Sequence, residues 1–456
     1  MTTNKFFIWL LSILLFATAA MPLSSCGKDD DTPEKPEKSK TDVPEDDPAS
    51  KTETNTGTDT TITPATDTTA VTPAIPNIEA RITDTVVYAK THMTAYNFVY
   101  AFTDPYGKPV TLSGAITIGD EIKDKHARGI ILYNRPVAVT PNECPSRGGI
   151  KVQNGLVSSE LITVSADYYG FGATADKPIA YCMTNANARA SIDALRAAQK
   201  LLAENGFTWN NTLFNLGYSQ GGQIAIGVLK ITTEEYPDIR FKRTIAGGGS
   251  YDVAETYKQL IMSGTTTLPI TVPCTLQSFN DLFNLGIDYK DIFTEPLLSD
   301  FNDCRNTEGR YDFDKLEKKM KSGKIADILT PAALDLESSL SRELLAAMEK
   351  ENLCGGWTPR SDETITIFHN EYDDAVPIVN ADKLVDFLQS SGLTITDDEN
   401  AQEGVCFIKA KSKASFLSAH EICVFQFVGI TARQLGKAIG LDGWLPDASL
   451  VSSLLL

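Results

Sequence analysis

Histidine and cationic side chains are scarce in this chain of 456 residues, and each scarcity excludes a class of function. Only 4 histidines are present, and none of the 8 cysteines forms a Cys-x-x-Cys pair, so we expect no metal site. Acidic residues outnumber basic ones 59 to 41, which gives a net charge of −18. Because nucleic-acid binding needs a basic face, we expect no nucleic-acid partner.

A long apolar run is also missing. The run at residues 6–20 has about 15 residues, whereas a membrane span needs about 20, so residues 1–25 are predicted to be a signal peptide. Leu-Ser-Ser-Cys at residues 23–26 resembles a bacterial lipobox, which implies cleavage before Cys26 and its lipidation. The alternative is an ordinary secretory signal. Residues 27–31, Gly-Lys-Asp-Asp-Asp, resemble the export signal of Bacteroidetes lipoproteins, which implies an outer-membrane lipoprotein on the cell surface.

Residues 26–76 contain almost no large apolar side chains and are rich in Thr, Pro and Asp. Such a segment cannot bury enough surface to offset its ordering entropy, so we predict a disordered linker between the lipid anchor and the folded body. The body then spans residues 77–456. It holds the cysteines other than Cys26, an odd number, and their spacing does not define a pairing.

In the body, short apolar runs alternate with amphipathic stretches. The runs predict strands at residues 97–102, 110–118, 129–133, 161–166, 213–217, 243–247, 364–368 and 405–409. Helices are predicted at residues 185–203, 220–230 and 379–389, and from residue 421 onward. This order predicts an α/β fold with a mostly parallel sheet of eight strands and helices on both faces. Residues 252–358 break the alternation and are predicted to form a helical insertion.

The segment at residues 217–221, Gly-Tyr-Ser-Gln-Gly, lies between a predicted strand and a predicted helix. Gly-x-Ser-x-Gly in this position is typical of a tight turn that lifts a serine hydroxyl above the sheet, so Ser219 is the candidate nucleophile. The Gln220 amide, at the start of the helix, is then placed to donate to an oxyanion. A second donor is expected after the strand at 129–133, from the amide of Arg135 or Val137. The side chain of Asn134 or Arg135 could instead reach the substrate.

Residues 369–377, His-Asn-Glu-Tyr-Asp-Asp-Ala-Val-Pro, resemble the acid segment of α/β-hydrolases, His-Gly-x-x-Asp-x-x-Val-Pro. The resemblance assigns Asp373 as the acid, with Asp374 as the alternative. In that fold the chain order is nucleophile, acid, histidine. Of the four histidines only His420 follows Asp373, so it is the predicted base, and His369 is expected to be a structural histidine.

Further segments resemble α/β-hydrolases of the secretory lipase type. They are residues 165–172, 193–196, 217–222, 246–252 and 357–359, and the resemblance covers about residues 80–440. It implies hydrolysis of carboxylic esters through an acyl-enzyme, no cofactor, and a lid formed by residues 252–358. The triad would be Ser219, Asp373 and His420.

Fold and triad leave the substrate open. The candidates are a small acyl ester, a lipid or an acylated glycan. A serine exopeptidase of the prolyl or dipeptidyl type would share the fold and the triad. Acidic residues of the insertion, which such an enzyme uses to bind a free amine, are too numerous to discriminate. An intact triad argues against a purely binding role, and no aromatic pattern typical of glycan binding is present.

Overall fold

The computed structural model describes residues 77–441, except residues 121, 141–142, 150–159, 307–309 and 414–416. The predicted signal peptide, Cys26 and the predicted linker up to residue 76 lie outside the described residues. Among the described helices, none combines the length and the apolar composition that crossing a bilayer requires.

The described residues form twelve strands and eleven α-helices, numbered in chain order. The strands are β1 (Ala80–Tyr88), β2 (Met93–Thr103), β3 (Pro109–Gly119), β4 (His126–Ala127), β5 (Gly129–Asn134), β6 (Leu161–Ala166), β7 (Thr208–Trp209), β8 (Leu213–Tyr218), β9 (Arg243–Gly247), β10 (Thr364–Asn370), β11 (Ile395–Thr396) and β12 (Gly404–Ala410). The helices are α1 (Thr184–Glu204), α2 (Gln220–Glu235), α3 (Val253–Ser263), α4 (Thr271–Leu282), α5 (Tyr289–Ile292), α6 (Leu297–Asp303), α7 (Phe313–Lys319), α8 (Pro331–Leu334), α9 (Ser339–Met348), α10 (Val379–Ser390) and α11 (Ala419–Ala438). Short 3₁₀ turns lie at Ala89–Thr91, Lys123–Lys125, Pro145–Arg147, Gly172–Thr174, Ile325–Asp327 and Glu349–Glu351.

One sheet of ten strands organises the body, in the order β1-β2-β3-β6-β5-β8-β9-β10-β12-β11. The pairs from β1 to β6 are antiparallel, and those from β6 to β11 are parallel, which agrees with the predicted hairpin and mostly parallel sheet. The predicted number of strands, eight, was wrong. The additional strands β1 and β11 lie at the two edges. Strand β1 is mostly exposed or half-buried, so it lacks the apolar run that marks an inner strand, and β11 has only two residues.

Helices cover both faces of this sheet, as predicted. On β5, Ile130 and Leu132 point to the face covered by α1 and α2, while Ile131 and Tyr133 point to the face covered by α11. Successive residues of a strand face opposite sides, so a strand buried on both faces has no polar alternation. This explains why the inner strands appear in the sequence as continuous apolar runs.

The stretch between β9 and β10 contains α3 to α9 and, within its described residues, only isolated bridges instead of strands. Its centre is a group of stacked and tilted aromatic rings, Tyr289, Phe293, Phe301, Tyr311 and Phe313. The phenylalanines belong to the same buried cluster as the inner strands. The insertion therefore shares the core of the sheet.

Candidate active site

Ser219 occupies a sharp turn between β8 and α2, at the carboxyl edge of the parallel strands. Its backbone has φ 58° and ψ −126°, a left-handed conformation that residues other than glycine rarely adopt. Its amide donates to the carbonyl oxygen of Gly247 on the neighbouring strand β9, at 2.8 Å. The turn is thus held from the sheet side, and the serine side chain is directed toward the loops that follow β10 and β12.

The glycines on either side of Ser219 are required by close approach of the backbone. A Cβ atom on Gly217 would overlap the carbonyl oxygen of Gly221, and one on Gly221 would overlap the carbonyl oxygen of Asn134 at the end of β5. Larger residues at either position would push α2 away from the sheet. The Gly-x-Ser-x-Gly spacing therefore reflects the close packing of the start of α2 against the ends of β8 and β5.

Asp373 lies in the loop that follows β10, and its carboxylate is buried. One oxygen, Oδ1, accepts hydrogen bonds from the amides of Ala375 and Val376, at 3.1 and 2.8 Å. The other, Oδ2, lies 2.6 Å from Nδ1 of His420. The loop amides therefore orient the carboxylate so that a single oxygen faces the imidazole.

His420 is the second residue of α11, and a capping box fixes the start of that helix. The Ser418 side chain accepts from the amide of Glu421, whose carboxylate accepts from the Ser418 amide. Nε2 of His420 lies 2.8 Å from Oγ of Ser219. Side chains from three separate segments, a turn, a loop and the first turn of a helix, thus form one hydrogen-bonded chain, Ser219–His420–Asp373.

Tyr218 also contributes to this arrangement, and the sequence analysis missed its role. Its ring packs on the imidazole of His420, with centroids 5.2 Å apart, and its hydroxyl donates to the His420 carbonyl oxygen at 2.6 Å. It thereby holds both the ring and the backbone of the histidine. The available signal was its position, since the residue before Ser219 ends β8 beside the loop that carries the base.

Burial and mutual pairing have opposite effects on the pKa of Asp373 and on the pKa of His420. Burial disfavours the charged imidazolium, but the charge and hydrogen bond of Asp373 outweigh it, so the pKa of His420 is raised. Burial alone would raise the pKa of Asp373, yet His420 outweighs it and the pKa is lowered. The arrangement therefore favours a carboxylate beside an imidazole that readily accepts a proton.

Asp373 and its neighbour Asp374 differ in their surroundings, and His369 lies beside the Asp373 carboxylate. Asp374 is exposed and accepts a hydrogen bond from Oγ1 of Thr267 in the insertion, at 2.9 Å. His369 is fully buried, and its Nε2 donates to the carbonyl oxygen of Val376 at 2.7 Å. Burial lowers the pKa of His369 despite Asp373 at 3.6 Å, and its bond to Val376 ties it to the loop that carries Asp373.

The segment after β5 lies against the turn at Ser219, because a Cβ atom on Gly221 would overlap the Asn134 carbonyl oxygen and come within 3.0 Å of that of Arg135. The side chains of Asn134 and Arg135 are both engaged internally, which argues against their reaching a substrate. The Asn134 amide donates to Asn215 Oδ1 and to the Leu216 carbonyl oxygen, at 2.8 and 3.0 Å. The Arg135 guanidinium donates to the Asp167 carbonyl oxygen at 3.1 and 2.7 Å. Further along the segment, the amides of Val139 and Thr140 donate to the Glu143 carboxylate, at 2.9 and 3.1 Å.

No group of three His, Cys, Asp or Glu side chains in the described part of the chain is arranged to hold a metal ion. The described cysteines form no disulfide with one another.

Comparisons with known proteins identify the family and the fold of the chain. The family model described as secretory lipase matches residues 152–407, more than half of the chain, including Ser219 and Asp373. The rice cell wall degrading esterase LipA from Xanthomonas oryzae superposes with a TM-score of 0.64 at 18% identity, covering 79% of this chain and 98% of LipA. Candida antarctica lipase A superposes with a TM-score of 0.54 at 12% identity, covering 79% and 81%. No match is found among curated protein sequences. The chain therefore belongs to the secretory lipase family, has the α/β-hydrolase fold and is a carboxylic ester hydrolase.

Proposed function

We propose that Ser219, His420 and Asp373 are the nucleophile, the general base and the acid of this hydrolase. The observation that supports the assignment is the chain of hydrogen bonds, 2.8 Å from Ser219 Oγ to His420 Nε2 and 2.6 Å from His420 Nδ1 to Asp373. Nε2 takes the hydroxyl proton as Oγ attacks the ester carbonyl carbon, and the resulting imidazolium protonates the departing alcohol. A water molecule then hydrolyses the acyl-enzyme by the same route.

Backbone amides of Gln220 and Arg135 are the proposed oxyanion donors, with Val137 as the alternative to Arg135. Gln220 is the first residue of α2, and the first amides of a helix have no partner within the helix. The dipole of α2 adds positive potential at the same place. The guanidinium of Arg135 is buried and stacks on the rings of Tyr168 and Phe171, at 4.6 and 4.3 Å, which holds its loop in position.

The insertion between β9 and β10 is the proposed lid and the segment that selects the substrate. The hydrogen bond from Thr267 to Asp374 brings it to the loop that carries the acid. Among esters we favour an acylated glycan, so that the enzyme acts as a carbohydrate deacylase. The structural relative LipA is described as a cell wall degrading esterase. A lipid anchor at Cys26 on the outer membrane would present the site to extracellular glycans.

Replacing Ser219 with alanine tests the nucleophile. Hydrolysis of p-nitrophenyl acetate and butyrate should fall by about 10⁴-fold or more, as is typical when a triad serine is removed. Ser391→Ala is the matched control, because Ser391 follows α10 and its hydroxyl bonds only the Phe387 carbonyl oxygen in that helix; this variant should retain full activity. Full activity in the Ser219 variant would refute the assignment.

The choice between ester and peptide is tested by substrates. A series of p-nitrophenyl esters of increasing acyl length, run beside acetylated xylan and beside aminoacyl and dipeptidyl anilides, should show ester cleavage with a preference for short acyl groups. Faster cleavage of the anilides would instead identify an exopeptidase.

A further inference from the structure

A polar cavity lies away from the triad, next to the amino end of β9. It has a volume of about 230 Å³. Its lining residues are Arg243, Glu399, Asn400, Gln402, Arg433, Gln434, Lys437 and Ala438. They come from the first residue of β9, the connection between β11 and β12, and the last turns of α11. Three cationic side chains face one carboxylate, so the cavity is positive in a chain whose net charge is −18.

Arg243 is the unusual member of this set, because its guanidinium is buried without a carboxylate. Only 4% of the residue is exposed. It donates to Oγ1 of Thr366 at 3.1 Å and to the carbonyl oxygen of Ala401, and no described carboxylate lies within ion-pairing distance. Burial lowers its pKa, as expected for a cation that lacks a counter-charge. A buried charge is destabilising unless an opposite charge pairs with it, so an anion bound here would stabilise the Arg243 guanidinium.

Lys437 and Arg433 extend the positive surface along α11. The Lys437 ammonium donates to Oδ1 of Asn400 at 2.9 Å and has no carboxylate partner among the described residues. Arg433 is paired with Glu399 at 2.8 Å, so the one acidic side chain of the lining is already neutralised. A cation in the last turn of a helix also stabilises the helix dipole, which accounts for Lys437. It does not account for Arg243, which lies on a strand.

We propose that this cavity binds a small oxyanion of the phosphate, sulfate or carboxylate class, held between the guanidinium of Arg243 and the ammonium of Lys437. A guanidinium has five N–H donors in a fixed plane that matches such oxygens, and the two bonds of Arg243 to protein leave donors available. Pockets for larger ligands usually exceed about 300 Å³, so this cavity suits a small anion.

This site is independent of the ester chemistry. His420 is the second residue of α11 and Lys437 is the last but one, and a separation of 17 residues along the helix spans about 25 Å. An anion at one end therefore does not contact substrate at the other. Binding at this site can be measured whether or not the triad assignment holds.

The test is isothermal titration of the full chain with inorganic phosphate, sulfate or acetate, with sodium chloride keeping the ionic strength constant. Wild type should show saturable one-site binding of at least one oxyanion. Lys437→Gln should weaken it by about tenfold, the value of one charge-assisted hydrogen bond. Lys437→Arg should retain it. The charge-matched control is Lys321→Gln, because Lys321 is exposed, lies in the insertion and bonds only a backbone carbonyl; it should bind like wild type.

Arg243→Gln should abolish the binding if the variant folds. If it does not fold, Lys437→Gln still tests the proposal, because Lys437 is exposed. Absence of saturable binding by wild type beyond the chloride background would overturn the proposal. Equal affinity in wild type and Lys437→Gln would also overturn it, because the anion would then be bound elsewhere.

Discussion

Replacing Asp373 with asparagine tests the acid at nearly constant shape. The loop amides of Ala375 and Val376 donate to Oδ1, so the side-chain oxygen of the asparagine must occupy that position. Its NH₂ group then faces Nδ1 of His420, which becomes an acceptor. The proton of the neutral imidazole moves to Nε2, the atom that has to accept the proton of Ser219.

We expect kcat to fall by about 10⁴-fold, as it does in a serine protease when the triad aspartate becomes asparagine and the tautomer is wrong. At 1.36 kcal/mol per factor of ten, this is about 5 kcal/mol of transition-state stabilisation. The measurement is kcat for p-nitrophenyl butyrate, with circular dichroism melting to show that the variant is folded.

The matched control is Asp374→Asn, which removes the adjacent carboxylate. Asp374 bonds only the hydroxyl of Thr267, so this variant should keep kcat within about threefold of wild type. If Asp373→Asn retained a tenth of the wild-type rate, or if Asp374→Asn were the more damaged variant, the acid assignment would be wrong.

Two further outcomes follow from the same features. The proposed base, His420, must be neutral to accept a proton, and its pKa is raised. We therefore expect kcat/KM to decline as the pH falls, with a midpoint above the ordinary value of 6.5. A midpoint below 6.5 would contradict the pairing with Asp373. Cys26→Ser should move the protein from the membrane fraction to the soluble fraction of its host, and unchanged membrane association would exclude the lipid anchor.

The predictable part of the fold lies where local pattern and long-range structure agree. Each inner strand is buried on both faces and therefore appears in the sequence as an apolar run, which is why strands such as β6 and β9 were predicted to the residue. The proximity of the three candidate catalytic side chains could also be predicted. Chain order left a single histidine for the base, and the structure brings that residue within 2.8 Å of Ser219.

The features that sequence reasoning missed depend on contacts between distant residues. Strand β1 has little buried surface and is defined by pairing with β2, which no local pattern reveals. The hydrogen bond from the Tyr218 hydroxyl to the His420 carbonyl oxygen joins residues 202 positions apart. The cavity at Arg243 is assembled from a strand, a loop and a helix end that lie up to about 200 residues apart in the chain. Such sites exist only after folding.

The backbone of Ser219 has a consequence for engineering. Its φ and ψ, 58° and −126°, match the first central position of a type II′ turn, where glycine dominates because it has no Cβ. Holding a serine there costs about 1–3 kcal/mol. Folding and catalysis thus make opposite demands at one residue. A redesign that ranks substitutions by local backbone fit alone would select glycine at position 219 and would gain stability by deleting the proposed nucleophile.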